Sequence, residues 1–430
     1  MITTFYRNSL WSLKSNSVSV PTDCPTRERM GWTGDSQVFF NTASTLMNYA
    51  PFARKHLRDV FDRQWKNGKL PQIAPYNGED WYMWPMNGSS GWADVGILMP
   101  YYFYQKYGDE RILREHLDGM LRYASFLMKR QGKWGGVYAK PLHLKPKYAR
   151  YAVNRGQSYG EWAEPLDVAK VSWLDFASPH PEVSTAYTYY SLSLMKKILD
   201  LLHQEHDATY RKIEKHAEGA KQAYQALRKT KRFPLDSDRQ ANLVRPLYFG
   251  LLEEKEREYA QKRLLQALEN YHWRLGTGFL STPFILDVLS SYDVEAAYRL
   301  LENEECPGWL FMAKHNTGTV WEGWEGTESD SGICSLNHYS KGALTDWLLR
   351  GMCGIRVLGE NTFGLAPIVG GKENFAQGSY RSIYGEVALR WEKVGQEVKF
   401  DISVPSNTKA LFHYKSQEKE LGPGKYTFLV

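Results

Sequence analysis

The apolar residues of this chain change their period once, and that change limits the architectures open to it. From about Ser36 to Leu349 they recur every three to four positions, as on helices buried along one stripe. Phe39, Phe40, Ala43, Leu46 and Met47 fall on one such face, and Pro51 opens the segment that follows. Val95–Tyr107, Arg111–Lys129, Thr185–Leu202 and Asp207–Leu227 predict further amphipathic helices. So do Leu243–Leu252, Lys255–Tyr271, Pro283–Tyr292, Asp293–Asn303 and Lys341–Arg350, for about eleven or twelve in all. After about Gly354 the period drops to two. Val387-Ala-Leu-Arg-Trp391 and Val398-Lys-Phe-Asp-Ile-Ser-Val404 alternate apolar and polar residues, as half-buried strands do. Turn residues at Gly370-Gly371, Gly395-Gln396, Pro405-Ser-Asn407 and Gly422-Pro-Gly424 separate these strands. The expectation is a mainly α chain, with a helical domain over 1–353 and a small antiparallel β domain over 354–430 packed against it.

The predicted helices are joined by loops dense in Gly, Trp and acidic residues: Asn77-Gly-Glu-Asp-Trp-Tyr-Met-Trp84, Tyr159-Gly-Glu-Trp162 and Trp321-Glu-Gly-Trp324. Long decorated loops between helices suit a toroid of helical hairpins with its loops gathered at one end, where binding and catalytic residues collect. No tandem sequence repeat of the solenoid type is present.

Composition excludes several classes. The net charge of +6 is mild for 430 residues, and no basic run interleaved with aromatics marks a nucleic-acid face. The short basic stretch at Arg228–Arg232 suits a solvated helix end. Cys24, Cys306, Cys334 and Cys353 form no C-x-x-C pair, so reduced thiols are expected. The N-terminus lacks the continuous apolar stretch of a secretory signal, and no window is long and apolar enough to span a membrane. A soluble, cytoplasmic protein is expected, unless the chain was cut from a longer secreted parent. His143, His180 and His272 lack metal-ligand spacing, and no metal or cofactor is expected. Aromatic content is 14%, with 15 Trp and 28 Tyr, which suits both stacking on sugar rings and helical cores.

The densest chemistry lies in Asp23-Cys-Pro-Thr-Arg-Glu-Arg-Met-Gly-Trp-Thr-Gly-Asp35. Pro25, Gly31 and Gly34 argue against a regular helix here and for an ordered loop whose polar groups converge. Glycoside hydrolysis needs two carboxyl groups in opposite protonation states, one to protonate the departing oxygen and one to activate water or attack the anomeric carbon. Asp23 and Asp35 on either side of Glu28 supply a negative field that favours its protonated form, and Trp32 an apolar wall; Arg27 and Arg29 act in the opposite sense.

This segment closely resembles the D-C-P-x-R-(D)-E-R-x-G-W-T-G-D signature of α-L-rhamnosidases of glycoside hydrolase family 78, in the form without the extra Asp. Carried over by position, the resemblance implies that Glu28 is the general acid, that Asp23, Arg27 and Asp35 bind sugar hydroxyls, and that Trp32 lines the pocket. Gly91-Trp-Ala-Asp94 is similar to the family's G-W-x-D and implies that Trp92 belongs to the pocket. Gly160-Glu-Trp162 is similar to G-D-W, with Glu161 at the usual Asp position, and brings in Trp162. Thr277-Gly-Phe-Leu-Ser-Thr-Pro283 looks like T-G-F-L-G-T-P, with Ser281 at a Gly position. Thr319-Val-Trp-Glu-Gly-Trp-Glu325 is similar to T-I-W-E-R-W and implies that Glu322 is the general base; Gly323 replaces the frequent Arg. Ser335-Leu-Asn-His338 is similar to S-F-N-H and implies a sugar contact for His338. The resemblance runs in order from about Leu10 to the C-terminus. It implies an (α/α)6 barrel followed by a β-sandwich, a terminal α-L-rhamnosyl substrate and an inverting mechanism. Family members usually carry large β-sandwich domains ahead of this region, and here the signature begins at residue 23.

Each residue has a plainer reading. Asp23 can cap a turn, Asp35 can cap the helix expected near Ser36, and an acidic loop holding Glu322, Glu325, Glu328 and Asp330 can simply be solvated. His338, Trp92 and Trp162 can be core residues, and Cys24 an inert buried thiol. The alternatives for the whole chain are a non-catalytic carbohydrate-binding protein, an inactive fragment, or another (α/α)6 exo-glycosidase; oligomeric state, homo-oligomers included, is left open.

Overall fold

The structure is a computed structural model that describes the whole chain except residues 79–82, 137, 170–171, 173–177, 205–206, 316, 330–331 and 360. Asp330, and the middle of the loop expected at 77–84, therefore lie outside the described residues.

Six helical passages form an inner ring: Thr33–Leu46, Val95–Tyr107, Pro181–Leu201, Ala241–Phe249, Ile285–Ser290 and the stretch Ser340–Met352. Neighbours in this ring pack on one another, and outer helices Ala50–Asp62, Arg111–Arg130, Ala208–Arg228, Glu254–Asn270 and Val294–Leu301 back onto them. The ring closes where the Arg350 guanidinium reaches both carboxyl oxygens of Asp287, tying the last passage to Ile285–Ser290. Bidentate pairing of this kind fixes orientation as well as distance.

Local chemistry explains most of the helix ends. The helix expected from Thr185 begins at Pro181, since Pro is accommodated in a first turn that needs no N–H. Leu243–Leu252 shortens to Ala241–Phe249 because Gly250 turns left-handed at φ 67°. Asp207 and Asp293 cap their helices through Thr209 N at 2.7 Å and Ala296 N at 2.9 Å. The helix carrying Phe39 and Phe40 ends at Leu46, leaving Met47 exposed beyond it. Lys341–Arg350 is a 3-10 turn at Ser340–Leu344, a short α segment and a π turn at Leu348–Met352.

Among the described residues the helices Ile2–Ser15, Pro146–Ala149 and Trp309–Lys314 have no counterpart in the sequence reading. Ile2–Ser15 packs against Trp309–Lys314, and the buried side of the first is Phe5, Asn8, Ser9, Ser12 and Leu13. That face is half polar, so its hydrophobic stripe is weak. Its hydroxyls are used internally: Thr345 donates to Ser9 Oγ at 2.8 Å, and Val320 N donates to Ser12 Oγ at 2.9 Å.

The strands that follow the helical ring form two four-stranded sheets. One runs in the order Gly424–Leu429, Glu397–Val404, Gly385–Val394, Phe375–Ser382, all antiparallel, with Trp391 opposite Phe400. The other runs Ile355–Gly359, Thr362–Leu365, Lys409–Tyr414, Gln417–Leu421. Within it Thr362–Leu365 pairs parallel with Lys409–Tyr414, a departure from the all-antiparallel expectation. The chain leaves the second sheet after Leu365 and returns only at Lys409, so the two strands need not be linked by a hairpin. Phe400 and Phe412 meet across the sandwich with ring centres 5.1 Å apart.

Candidate active site

The acidic segment is an ordered loop closed on itself. Asp23 N donates to Met30 O at 3.0 Å, and Met30 N returns to Asp23 Oδ1 at 2.9 Å. Inside this ring the Cys24 thiol donates to Asp23 Oδ2 at 2.7 Å, and Glu28 N donates to Cys24 Sγ at 3.2 Å. Arg29, next to Glu28, is held left-handed at φ 57°, a conformation that a non-glycine residue keeps only when its surroundings enforce it. Gly31 O accepts from Ala74 N, and a Cβ at Gly31 would lie 2.0 Å from Ala74 O. Gly34 does not break a helix as the sequence suggests. It lies in the first turn of Thr33–Leu46, where a Cβ would meet the Trp92 ring at 2.5 Å.

Glu28 remains reachable from solvent at the tip of this loop, and its Oε2 accepts the Trp32 indole N–H at 2.7 Å. The protein mass around it and the Asp23 charge nevertheless push its carboxyl up to about 7, against the Trp32 hydrogen bond and Arg27. Asp35 does not cap its helix. Buried in the first turn, its Oδ1 accepts from Ser340 Oγ at 2.8 Å and lies 3.1 Å from His338 Nε2. Burial, then the Asp23 charge, holds Asp35 well above the ordinary carboxylate range. Burial, then the Lys341 charge, lowers His338 to about 3, so the ring beside Asp35 is neutral. Asp23 is raised chiefly by its own burial.

Glu322 arrives from the other end of the helical domain. Glu322 N donates to Ser335 O at 2.9 Å and His338 N to Val320 O at 2.8 Å, which lays the two motif segments side by side. Glu322 is buried, accepts from the Trp162 indole at 3.4 Å, and is pushed up to about 8 by desolvation and then by the Glu28 charge. The charges of Glu28 and Asp23 act on Glu322, and those of Asp23, Glu28 and Glu322 act on Asp35, which puts the four acids in one site. Gly323 is there for space: a Cβ would fall 2.0 Å from Ser329 Oγ. The acidic neighbour Glu325 has a structural task, accepting from Leu166 N at 2.8 Å and Ser329 Oγ at 2.9 Å.

Aromatic rings bridge the two halves. Tyr159 lies edge-on to Trp32 and to Trp162 at 5.7 and 5.8 Å, and against Trp92 at 4.6 Å. Trp92 itself is 2% exposed, packed behind Tyr159 and Gly34. Sequence reasoning missed Tyr159 although it quoted the loop containing it, because Trp162 matched the motif and Tyr159 did not. Arg27 is exposed and its Nη1 lies 3.1 Å from Cys334 Sγ. The four cysteines form no disulfide, and burial pushes Cys24 up to about 12, which keeps it a thiol.

The two departures from the family pattern on this side touch each other. Glu161 accepts from Ser281 N at 2.7 Å, Ser281 Oγ at 2.9 Å and Gly278 N at 3.2 Å, and pairs with buried Arg245, which also reaches Glu182. Glu161 is thus an anchor for the 277–283 loop beneath Trp162. A hollow of about 700 Å³ opens elsewhere, between Glu254–Asn270, Val294–Leu301 and the turn at Gly371; none of the predicted site residues borders it. Among the described residues no three His, Cys, Asp or Glu side chains are placed to hold a metal ion.

A ring of helical hairpins with carboxylates and aromatic rings gathered among its loops is the architecture of the six-hairpin glycosidase fold. The sequence profile of the bacterial alpha-L-rhamnosidase 6 hairpin glycosidase domain matches residues 1–352, and that of the alpha-L-rhamnosidase C-terminal domain matches residues 359–428. The chain belongs to the bacterial alpha-L-rhamnosidase family. An alpha-L-rhamnosidase of Formosa agariphila is 30% identical over 426 residues, covering 96% of this chain and 43% of the relative. The structure of the Streptomyces avermitilis alpha-L-rhamnosidase complexed with L-rhamnose superposes with a TM-score of 0.82 at 28% identity, over 100% of this chain and 41% of that one. The Aspergillus terreus alpha-L-rhamnosidase gives 0.84 at 25% identity, over 100% of this chain and 49% of that one. The chain thus spans less than half the length of these relatives.

Proposed function

We propose that this chain removes terminal, non-reducing α-L-rhamnose from glycosides or polysaccharides by single displacement with inversion. The observation that carries the reading is the convergence of Glu28 and Glu322 in one site, each raised by burial and by the other acids around it. Two carboxyls raised to about 7 and about 8 hold about one proton between them just above neutral pH, which is the state that general acid–base chemistry requires.

The roles follow from access. The leaving group must depart toward solvent, and Glu28 is the open member of the pair; Glu322 is closed in, suited to deprotonating a single water on the opposite face. Burial raises both carboxyls into the same range, Glu28 to about 7 and Glu322 to about 8. A bound glycoside covers Glu28 and removes its solvent, which raises the acid further; Glu322 is already dry and gains little. Asp23, Arg27, Asp35 and His338 bind or brace the hydroxyl-binding floor, and Trp32 and Trp162, with Tyr159, form the wall for the 6-deoxy sugar, which Trp92 backs from behind Tyr159.

The test is release of p-nitrophenol from its α-L-rhamnoside by the chain and by its Glu28→Gln variant. Activity in the first with turnover lowered about 10²–10⁴-fold in the second supports the acid role. The loss should be larger on a poorly activated natural glycoside than on the aryl one, and equal loss on both removes Glu28 from that role. Proton NMR of the first sugar released distinguishes inversion, which yields the β-anomer, from retention.

A further inference from the structure

One buried charge at this site has no part in the mechanism above. Lys341 lies in the Ser340–Leu344 turn with no exposed surface, and its backbone oxygen is fixed by the Trp309 indole at 3.2 Å. Its ammonium donates to Ala163 O at 2.9 Å and sits over the Trp324 ring at 4.1 Å, with Phe279 at 5.9 Å. A buried ammonium is retained only where partners offset its lost hydration.

Both contacts lead to Glu322. Trp324 is two residues along the same loop. Ala163, held left-handed at φ 57°, follows Trp162, whose indole hydrogen-bonds Glu322. We infer that Lys341 is a positioning residue for the general base, its ammonium pinning the Ala163 carbonyl so that Trp162 stays on Glu322 while its charge favours the ionised carboxylate. This inference rests on the assignment of Glu322 as base.

The charges around the pair are as follows. Lys341 is drawn toward its charged form by Glu325, Glu322, Cys306 and Glu164, and opposed by burial, which brings it down to about 7. Glu164 is neutralised by Arg239, and Cys306, pushed up to about 11, is an uncharged thiol. Glu322 is faced by Glu28 and Asp23, both of which disfavour its ionisation. His338 is kept neutral partly by Lys341 itself. Lys341 and Glu322 titrate within about a unit of each other, and the charged form of each favours that of the other. Losing it raises the base.

The experiment is the pH profile of kcat/KM on p-nitrophenyl α-L-rhamnoside for the chain and for Lys341→Met, which keeps the length and loses the charge and the donor. The acidic limb should move up by about one pH unit or more. At pH 6 that is roughly a tenfold loss, carried by kcat with KM little changed. A folded Lys341→Met whose profile overlays the parent's overturns the inference and leaves Lys341 a structural plug. Where Lys341→Met does not fold, side-chain amine NMR of the intact chain and of Glu322→Gln decides. Loss of the facing carboxylate should let Lys341 deprotonate at lower pH, and an unchanged titration overturns the inference. Glu322→Gln with full turnover would overturn the base assignment itself, and this inference with it. Glu322→Gln silent beside an unmoved Lys341→Met profile would overturn this inference alone.

Discussion

Glu28 and Glu322 are the same residue type in different solvent. One stands at the tip of a closed loop, reachable from outside, and the other is 3% exposed between two tryptophans. Both carry raised values, about 7 and about 8, and the sign of the consequence is definite. Below the lower value both carboxyls are protonated and no base remains; above the higher one both are ionised and no acid remains. The kcat/KM profile should therefore peak between roughly pH 7 and 8, with its acidic limb near neutrality. A maximum near pH 4–5, where unperturbed carboxyls titrate, would show that burial does not govern this pair. Asp35 shows how position changes a residue's work: a favoured capping residue at a helix start, it is turned inward to Ser340 and His338.

At the scale of elements, the site is assembled from loops that are each locked by a short polar network. The 23–30 loop closes through Asp23 and Cys24. The 160–164 and 277–283 loops are joined through Glu161, and there the longer acid and the added hydroxyl of Ser281 occur together. Hydrogen bonds to a buried carboxylate contribute about 1.5–3 kcal/mol each. Ser281→Gly should accordingly lower stability by about 1–2 kcal/mol in urea unfolding. A double-mutant cycle with Glu161→Asp should give a coupling of at least about 0.5 kcal/mol. Additive effects would mean that the two departures are unrelated. Glu325 shows the same economy: an acid beside the proposed base is used to hold Leu166 and Ser329.

At the scale of the molecule, the second half of the helical ring and the sandwich share one apolar core. Leu349, Met352 and Cys353 are continuous with Val387, Leu389, Trp391 and Phe400, and the Trp391 indole donates to Met352 O at 2.8 Å. The sandwich therefore buries the underside of the passage that carries Ser340 and Lys341 toward the site. Trp391→Ala should cost about 3–5 kcal/mol and shift a single thermal transition followed by far-UV circular dichroism. A sandwich that melted first, leaving the helical signal in place, would show the two cores to be independent.

What the sequence determined by itself is what local pattern can encode. The switch from a helical to a two-residue period separated the ring from the sandwich, because each periodicity follows from backbone geometry alone. The resemblance singled out Glu28, Glu322 and their neighbours because the motifs that hold them are long and unusual in residue type. The N-terminal helix escaped because its buried face is half hydroxyl and amide. The tertiary structure alone decided that Asp35 turns inward, that Gly34 makes room for Trp92, that Ser281 answers Glu161, and that Lys341 is buried among acids. Each of these depends on atoms far apart in the chain, and a lysine or a glycine read in isolation has no signal for what will be packed against it.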